Sequence, residues 1–186
     1  MKQTRKAFYF SVLFFILFAL GSFYQQSNTV FNQVDEAVAA AAISKVGPYE
    51  GNQAVSFSLP DENNQIVTLE DYKGKTVILN FFASWCPPCQ EEMPVVVDFS
   101  KKINQKEDAV FLGINMTHQE KSKENVTKFL EHFHADFKVL YDEDGKTMKD
   151  YQIIGIPTTV VIGKDGKVVR RINGMVTPEL VEELSK

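Results

Sequence analysis

The sequence predicts an α/β fold in which helices cover both faces of a mixed sheet. Apolar runs of strand length alternate with helical segments from residue 54 onward. Gly163-Lys164-Asp165-Gly166 separates two runs rich in valine and isoleucine, as in a β-hairpin, and a helical segment beginning at Thr177-Pro178 closes the chain. With 186 residues and 44% hydrophobic content, the chain is long enough to bury one core.

The charge balance excludes one class of partner. The chain carries 20 Lys and Arg residues against 24 Asp and Glu residues, a formal net charge of −4. It lacks a basic cluster of the kind that phosphate binding needs. Nucleic acid is therefore not an expected partner.

The first 24 residues combine positive charge with a long apolar run. Lys2, Arg5 and Lys6 precede an uncharged stretch over residues 7–24. At ~1.5 Å per residue this stretch nearly matches the ~30 Å hydrocarbon layer of a bilayer, so it is either an export signal or a membrane anchor. Small residues suited to cleavage do not follow it closely. We therefore expect an uncleaved single-pass anchor, with residues 1–6 in the cytoplasm and the catalytic part of the chain on the extracytoplasmic side of the cell membrane.

Residues 25–53 are predicted to be a tether. The segment is polar at first, passes through an alanine-rich stretch and reaches Gly47-Pro48 without a dense apolar period. Such a composition suits a spacer between a membrane and a domain. The globular domain is therefore expected over residues 54–186.

Within this domain, the order of elements follows from apolar periodicity and turn residues. Strands are predicted at residues 55–59, 66–69, 76–82, 109–115, 138–141, 158–162 and 167–172. Helices are predicted from the cysteines to about residue 104 with a kink at Pro94, over 122–134, around 147–151, and from Thr177 onward.

The two cysteines of the chain lie in Trp85-Cys86-Pro87-Pro88-Cys89, where a buried strand ends and a helix begins. Free N–H groups and the positive dipole end at a helix N-terminus stabilise an anion, so a cysteine here ionises more readily than usual. Prolines fit the first helical turn, where N–H groups have no helical partner. Two thiols three positions apart indicate a reversible dithiol/disulfide pair with an exposed, acidic sulfur, because a structural disulfide gains most by closing a long loop.

These residues resemble a known family. Phe82-Ala83-Ser84-Trp85-Cys86-Pro87-Pro88-Cys89 with Pro94, Gly155-Ile156-Pro157-Thr158-Thr159, and the Asp165-Gly166 hairpin are similar to motifs of thioredoxin-fold proteins. More closely, they resemble membrane-anchored, extracytoplasmic thiol-disulfide oxidoreductases of the TlpA-like and ResA-like kind, found in bacteria. The resemblance covers about residues 54–186. It implies a thioredoxin fold with an extra strand pair before the core and an inserted helix near residues 122–134.

The resemblance also implies an activity and a set of site residues. The protein would reduce disulfides of partner proteins outside the membrane, such as apocytochrome c before haem attachment, with electrons from a membrane thiol carrier and no cofactor. Cys86 would attack the substrate disulfide and Cys89 would resolve the mixed disulfide. Trp85 would form a hydrophobic wall, the Ile156 backbone would pair with substrate as an added strand, and Pro157 would be a cis proline facing the disulfide.

Asn80 departs from the thioredoxin pattern, which has a buried aspartate six residues before the first cysteine as proton acceptor for the second thiol. An amide cannot take that proton. Glu92 lies three residues after Cys89 and therefore on the same helix face. TlpA-like proteins often have a glutamate at this position, so Glu92 is the predicted replacement.

Two other functions use parts of the same pattern. A peroxiredoxin-like peroxidase would place a lone reactive cysteine after a Pro-x-x-x-Thr stretch, which this sequence lacks. A copper-binding thiol chaperone would use both cysteines as ligands.

A zinc site would need two more ligands, and His118, His132 and His134 lack metal-ligand spacing. We therefore predict no metal site and expect these histidines at the surface.

Overall fold

The computed structural model of the protein describes residues 17–18, 21–22 and 45–184. The chain divides into two compact units, Met1–Ser44 and Lys45–Lys186. In the first unit the described residues are helical. The rest of the predicted anchor, residues 1–6 and the tether up to residue 44 lie outside the described residues. Among the described parts of the chain, no helix combines the length and apolar character that crossing a membrane requires.

The second unit contains two sheets. Its strands are β1 (Ser58–Pro60), β2 (Ile66–Thr68), β3 (Thr76–Phe82), β4 (Ala109–Asn115), β5 (Lys138–Tyr141), β6 (Thr158–Ile162) and β7 (Val168–Asn173). β1 and β2 form an antiparallel pair, and the other strands form a five-stranded sheet in the order β5-β4-β3-β6-β7. β3, β4 and β5 run parallel, whereas β6 and β7 are antiparallel to their neighbours. The predicted mixed sheet, the thioredoxin-like order of elements and the extra strand pair are confirmed.

The helices are α1 (Pro87–Asn104), α2 (Lys123–His132), α3 (Lys146–Asp150) and α4 (Pro178–Leu184). α1 continues through Pro94. Ser122 caps α2, since its Oγ accepts from the Asn125 N–H at 3.4 Å, and Thr177 caps α4 in the same way. The inserted helix predicted near residues 122–134 is therefore α2.

The core lies on both faces of the larger sheet, because alternate side chains of β3 point in opposite directions. Ile78 and Phe82 belong to a buried cluster with residues of α1, α2 and α4. Val77, Leu79 and Phe81 belong to the opposite cluster, which includes residues of β1 and β2. Asn80 lies two residues from both Ile78 and Phe82, so its side chain points to the same face of the sheet, toward α1. One polar side chain therefore lies beneath the cysteine-bearing helix.

Two segments differ from the sequence prediction. β1 begins three residues later than the strand expected over residues 55–59, and the Val55 carbonyl accepts from the Tyr151 hydroxyl at 2.6 Å. The predicted tether overlaps the globular unit at residues 45–53. There the Gly51 N–H donates to the Val168 carbonyl at 2.8 Å, and the Ala54 N–H donates to the Gly166 carbonyl at 2.9 Å.

Candidate active site

Cys86 and Cys89 form a disulfide where β3 leads into α1, with their Cα atoms 5.2 Å apart. Cys86 is the N-cap of α1, and its sulfur accepts a hydrogen bond from the Cys89 N–H at 3.3 Å. Pro87 and Pro88 occupy the first two helical positions. The N–H that contacts the Cys86 sulfur, together with the helix dipole, would stabilise a thiolate in the reduced protein.

The disulfide is more enclosed than the sequence predicts. Cys86 is 3% exposed and Cys89 is 0% exposed, whereas an exposed sulfur was expected at Cys86. Ile156 contributes to this shielding, because its carbonyl oxygen lies 3.6 Å from the Cys86 sulfur. The loop before β6 therefore closes against the cysteine, a contact between residues far apart in the chain.

The loop around Pro157 borders the disulfide. The Ile156–Pro157 peptide bond is cis, so this part of the prediction is confirmed. The Pro157 carbonyl accepts from the Gly174 N–H at 2.9 Å, which brings the segment after β7 to the same place. That segment carries Met175, which is 42% exposed. The role of Ile156 and Pro157 in binding substrate stays a prediction.

Trp85 forms part of an open groove on the other side of the site. Its side chain is 48% exposed, and the groove of about 460 Å³ that it borders also contains Phe129 and Phe133 of the α2 region. A large exposed aromatic ring beside a reactive cysteine suits contact with a protein substrate. The position of Trp85 agrees with the predicted wall, and its binding role stays a prediction.

Glu92 lies one turn after Cys89 in α1 and is 2% exposed. Both carboxyl oxygens have partners. Oε1 accepts from Asn80 Nδ2 at 3.1 Å, and Oε2 accepts from the Val176 N–H at 2.9 Å. Its spacing from Cys89 and the resemblance to TlpA-like proteins predicted Glu92, whereas Val176 carries no signal in the sequence that would single it out.

Burial raises the pKa of Glu92 from its ordinary 4.5 to about 7, although the hydrogen bonds from Val176 and Asn80 oppose the rise. A carboxyl group with a pKa near neutrality can both accept and release a proton under ordinary conditions. Together with the adjacent dithiol pair, it forms a site that can transfer electrons and protons.

Glu120 holds the loop before Cys86 in place, and no pattern in the sequence singles this residue out. Glu120 accepts from the Ser84 N–H and the Ser84 hydroxyl, each at 2.6 Å, and from Asn115 Nδ2 at 2.9 Å. Gln90 of α1 donates to the Ser84 carbonyl at 2.9 Å. These bonds connect the segment after β4 to the loop that carries Trp85 and Cys86.

Replacing Glu120 with alanine is expected to lower the free energy of unfolding by about 1–3 kcal/mol, because the buried Asn115 amide and the Ser84 N–H lose their acceptor. Urea denaturation of the oxidised protein measures the change. Glu124→Ala is the matched control, since it removes an exposed glutamate that pairs with Lys128 and is expected to change stability by less than ~0.5 kcal/mol. Equal effects of the two variants would contradict the role of Glu120.

The three histidines are exposed, as predicted. Within the described residues, no three His, Cys, Asp or Glu side chains are grouped as a metal site would require.

The structure brings together the predicted site residues, namely the two cysteines, Glu92, Trp85, Ile156 and Pro157. It adds four residues that were not among those predicted for the site: Asn80, Thr159, Val176 and Glu120.

Comparisons with known proteins agree with this geometry. Residues 49–185 match the model of the Redoxin family. The chain is 30% identical over 184 residues to the thiol-disulfide oxidoreductase ResA of Bacillus subtilis, covering 98% of this chain and 93% of that relative. It is 35% identical to the thioredoxin-like protein YneN of the same organism, over 75% of this chain and 80% of that protein. The crystal structure of StoA from Bacillus subtilis superposes with a TM-score of 0.61 at 27% identity, covering 70% of this chain and 94% of StoA.

Proposed function

The chain belongs to the Redoxin family as a thiol-disulfide oxidoreductase of the ResA type, and on this premise we propose that it reduces disulfides of extracytoplasmic proteins through Cys86 and Cys89. One observation carries the proposal. The Cys86 sulfur caps α1, where it accepts from the Cys89 N–H, and lies 3.6 Å from the Ile156 carbonyl. This arrangement stabilises a thiolate next to a backbone segment that a substrate strand can pair with.

The reaction consists of two exchanges. The Cys86 thiolate attacks one sulfur of the substrate disulfide, a mixed disulfide forms, and the other substrate sulfur leaves and takes a proton. Cys89 then loses its proton and attacks the Cys86 sulfur, which releases the second substrate thiol. The substrate gains two electrons and two protons, and the protein ends with the Cys86–Cys89 disulfide. An external thiol reductant must then restore the dithiol.

Glu92 is the proposed acceptor for the proton that Cys89 loses. Its position one turn after Cys89 and its burial support this role, and its pKa of about 7 lets it take a proton near neutral pH. No charged side chain among the described residues contributes to that pKa. Glu92 is therefore the proposed buried acceptor for the proton of the second exchange.

The proposed location is the extracytoplasmic side of the cell membrane, with residues 7–24 as a single-pass anchor. The basic residues before this apolar run and the absence of a nearby cleavage site support the proposal. An oxidising compartment keeps exposed thiols as disulfides, so a membrane thiol carrier is the proposed electron donor.

The proposed substrate is an apocytochrome c whose Cys-x-x-Cys-His haem attachment site has become oxidised. Haem attachment needs the two cysteines as thiols, so a reductase must act before haem is attached. The half-exposed Trp85 and Met175 beside the site suit contact with an unfolded polypeptide, which offers apolar side chains that a folded protein would bury.

The test mixes reduced full-length protein with an oxidised Cys-x-x-Cys-His peptide at pH 7. We expect one Cys86–Cys89 disulfide to form for each peptide disulfide lost, as measured by mass spectrometry after thiol alkylation. Oxidised glutathione, which offers no peptide strand of that kind, should react more slowly. If the oxidised protein instead drew electrons from the reduced peptide at equilibrium, the proposed direction would be wrong.

A further inference from the structure

Asn80 contacts Glu92 from beneath α1. It is 0% exposed and lies opposite Thr159 in the antiparallel pairing of β3 with β6. Its Nδ2 atom donates to Glu92 Oε1 at 3.1 Å and to Thr159 Oγ1 at 3.0 Å, so both amide hydrogens are used. Its Oδ1 atom is buried and has no hydrogen-bond partner. A buried acceptor without a partner calls for an explanation.

The two ends of an asparagine amide are nearly identical in shape, so rotating the group by a half turn exchanges nitrogen and oxygen at almost the same positions. In the rotated form, Oδ1 would lie about 3 Å from Glu92 Oε1 and from Thr159 Oγ1. The Thr159 hydroxyl can donate or accept, so it fits both forms. A carboxylate, however, only accepts, while a carboxylic acid can also donate.

In each orientation the inner end of the Asn80 amide is fully bonded and the outer end has no partner. The unpaired outer end is therefore unfavourable in both orientations of the amide. The protonation state of Glu92 then decides which orientation the amide adopts. A Glu92 carboxylate requires the Nδ2 donor, whereas a Glu92 carboxylic acid with its proton on Oε1 requires the Oδ1 acceptor.

We propose that Asn80 is a positioning residue whose side-chain amide rotates with the protonation of Glu92, donating to the carboxylate and accepting from the carboxylic acid. This inference rests on the proposed function in one respect, namely that Glu92 gains and loses a proton during the exchange reaction. The rotation holds the carboxyl group in place in both states. It explains why an amide suits this position, because rotation offers Glu92 either a donor or an acceptor at the same point.

The groups that contact Glu92 on its other sides do not supply this switch. The Val176 N–H on Oε2 is a fixed donor. Along α1, Cys89 lies one turn earlier and the adjacent Glu91 is exposed to solvent, and no charged side chain among the described residues influences the pKa of Glu92. Only the Asn80 amide and the Thr159 hydroxyl in this network can change from donor to acceptor.

Nuclear magnetic resonance of the reduced, isotope-labelled full-length protein tests the rotation. Above the midpoint of the Glu92 titration, we expect nuclear Overhauser contacts between the Asn80 amide protons and the Thr159 methyl group. These contacts should disappear below the midpoint. The Asn115 amide is the internal control, because it also donates to a glutamate, Glu120, and should keep its contacts through the same pH range. Asn80 contacts that persist unchanged on both sides of the midpoint would overturn the proposal.

A variant gives a second, independent measurement. Asn80→Leu removes both the donor and the acceptor, so the carboxylate and the carboxylic acid each lose one hydrogen bond and the Glu92 midpoint should move by less than about one pH unit. A fixed donor would stabilise only the carboxylate, so a rise of well over about one pH unit would overturn the proposal. If the variant fails to fold, the measurement on the wild-type protein decides alone.

Failure of this inference is distinguishable from failure of the proposed function. The midpoint and the amide contacts are measured without substrate, whereas the role of Glu92 in exchange is measured by the kinetics of Glu92→Gln. Unchanged exchange kinetics in Glu92→Gln would remove Glu92 from the reaction. Unchanged amide contacts in the wild-type protein would remove only the rotation of Asn80.

Discussion

Serine in place of Cys86 is expected to reduce disulfide exchange to below about 1% of the wild-type rate, because a serine hydroxyl neither ionises at neutral pH nor forms a disulfide. Serine in place of Cys89 should have a different result. Cys86 can still attack the substrate, but no second thiol resolves the product, so a covalent adduct of protein and substrate accumulates. Non-reducing electrophoresis with mass spectrometry measures both outcomes on the oxidised peptide substrate.

The two variants serve as controls for each other, since each removes one sulfur from the same disulfide. The near-complete burial of Cys89 supports the assignment of Cys86 as the attacking residue, because Cys89 is one turn deeper in α1. Adducts that formed through Cys89 in the Cys86→Ser variant, at a rate equal to those of the Cys89→Ser variant, would reverse the assignment.

Glutamine in place of Glu92 is expected to stabilise the oxidised protein at alkaline pH by up to about 3–4 kcal/mol. The folded pKa of Glu92 is about 7 and its ordinary value is 4.5, and one pKa unit corresponds to ~1.4 kcal/mol. Glutamine keeps the shape of the side chain. Its carbonyl oxygen can accept from Val176, and its amide can donate to a rotated Asn80.

The direction of the pH dependence follows from the sign of the shift. Because folding raises the pKa of Glu92, the folded state favours the protonated form. The wild-type protein therefore has its full stability from this group below pH ~4.5 and loses it progressively as the pH rises to about 7. Glutamine does not titrate, so the two proteins should have similar stability near pH 4 and diverge above it.

Urea denaturation of the oxidised proteins at several pH values measures this difference. Glu91→Gln is the matched control, because Glu91 is exposed on the same turn of α1 and its replacement should leave the pH dependence unchanged. Parallel stability curves for the wild-type protein and Glu92→Gln would show that Glu92 is not a buried acid with a raised pKa. In the exchange reaction, the same variant should slow the resolving step, since Cys89 loses its proton acceptor.

The expected gain in stability indicates why a carboxyl group remains at this place. We propose that this buried acid, which weakens the fold near neutral pH, is retained because its proton affinity serves the reaction, a common relation between activity and stability. Asn80 and Val176 reduce this destabilisation by donating to the carboxylate, and with them the pKa is about 7.

Much of the site could be predicted because its signals are local. Cys86 and Cys89 follow an apolar strand and open a helix with two prolines, so their place at the helix N-terminus is evident from a few neighbouring residues. Glu92 was predicted by the three-residue spacing that places it on the Cys89 face of α1 together with the resemblance to TlpA-like proteins. The nearly continuous apolar run of β3 likewise predicted a buried strand.

Other parts of the site depend on contacts that no local pattern indicates. The Val176 N–H reaches Glu92 from 84 residues away, and Thr159 reaches Asn80 from 79 residues away through the register of β3 with β6. The Ile156 carbonyl shields the Cys86 sulfur, which the sequence predicted to be exposed. Glu120 holds the active-site loop although its neighbours in the chain are ordinary surface residues.

The sequence by itself therefore determined the chemistry of this protein: a pair of thiols at a helix N-terminus with an acid one turn later, on an α/β scaffold. Tertiary structure decided how enclosed the sulfur is, which groups donate to the acid and how readily that acid holds a proton. The reason is physical. Spacing along one helix fixes which of its own side chains share a face, but burial and hydrogen bonding depend on which distant backbone and side chains pack against that face.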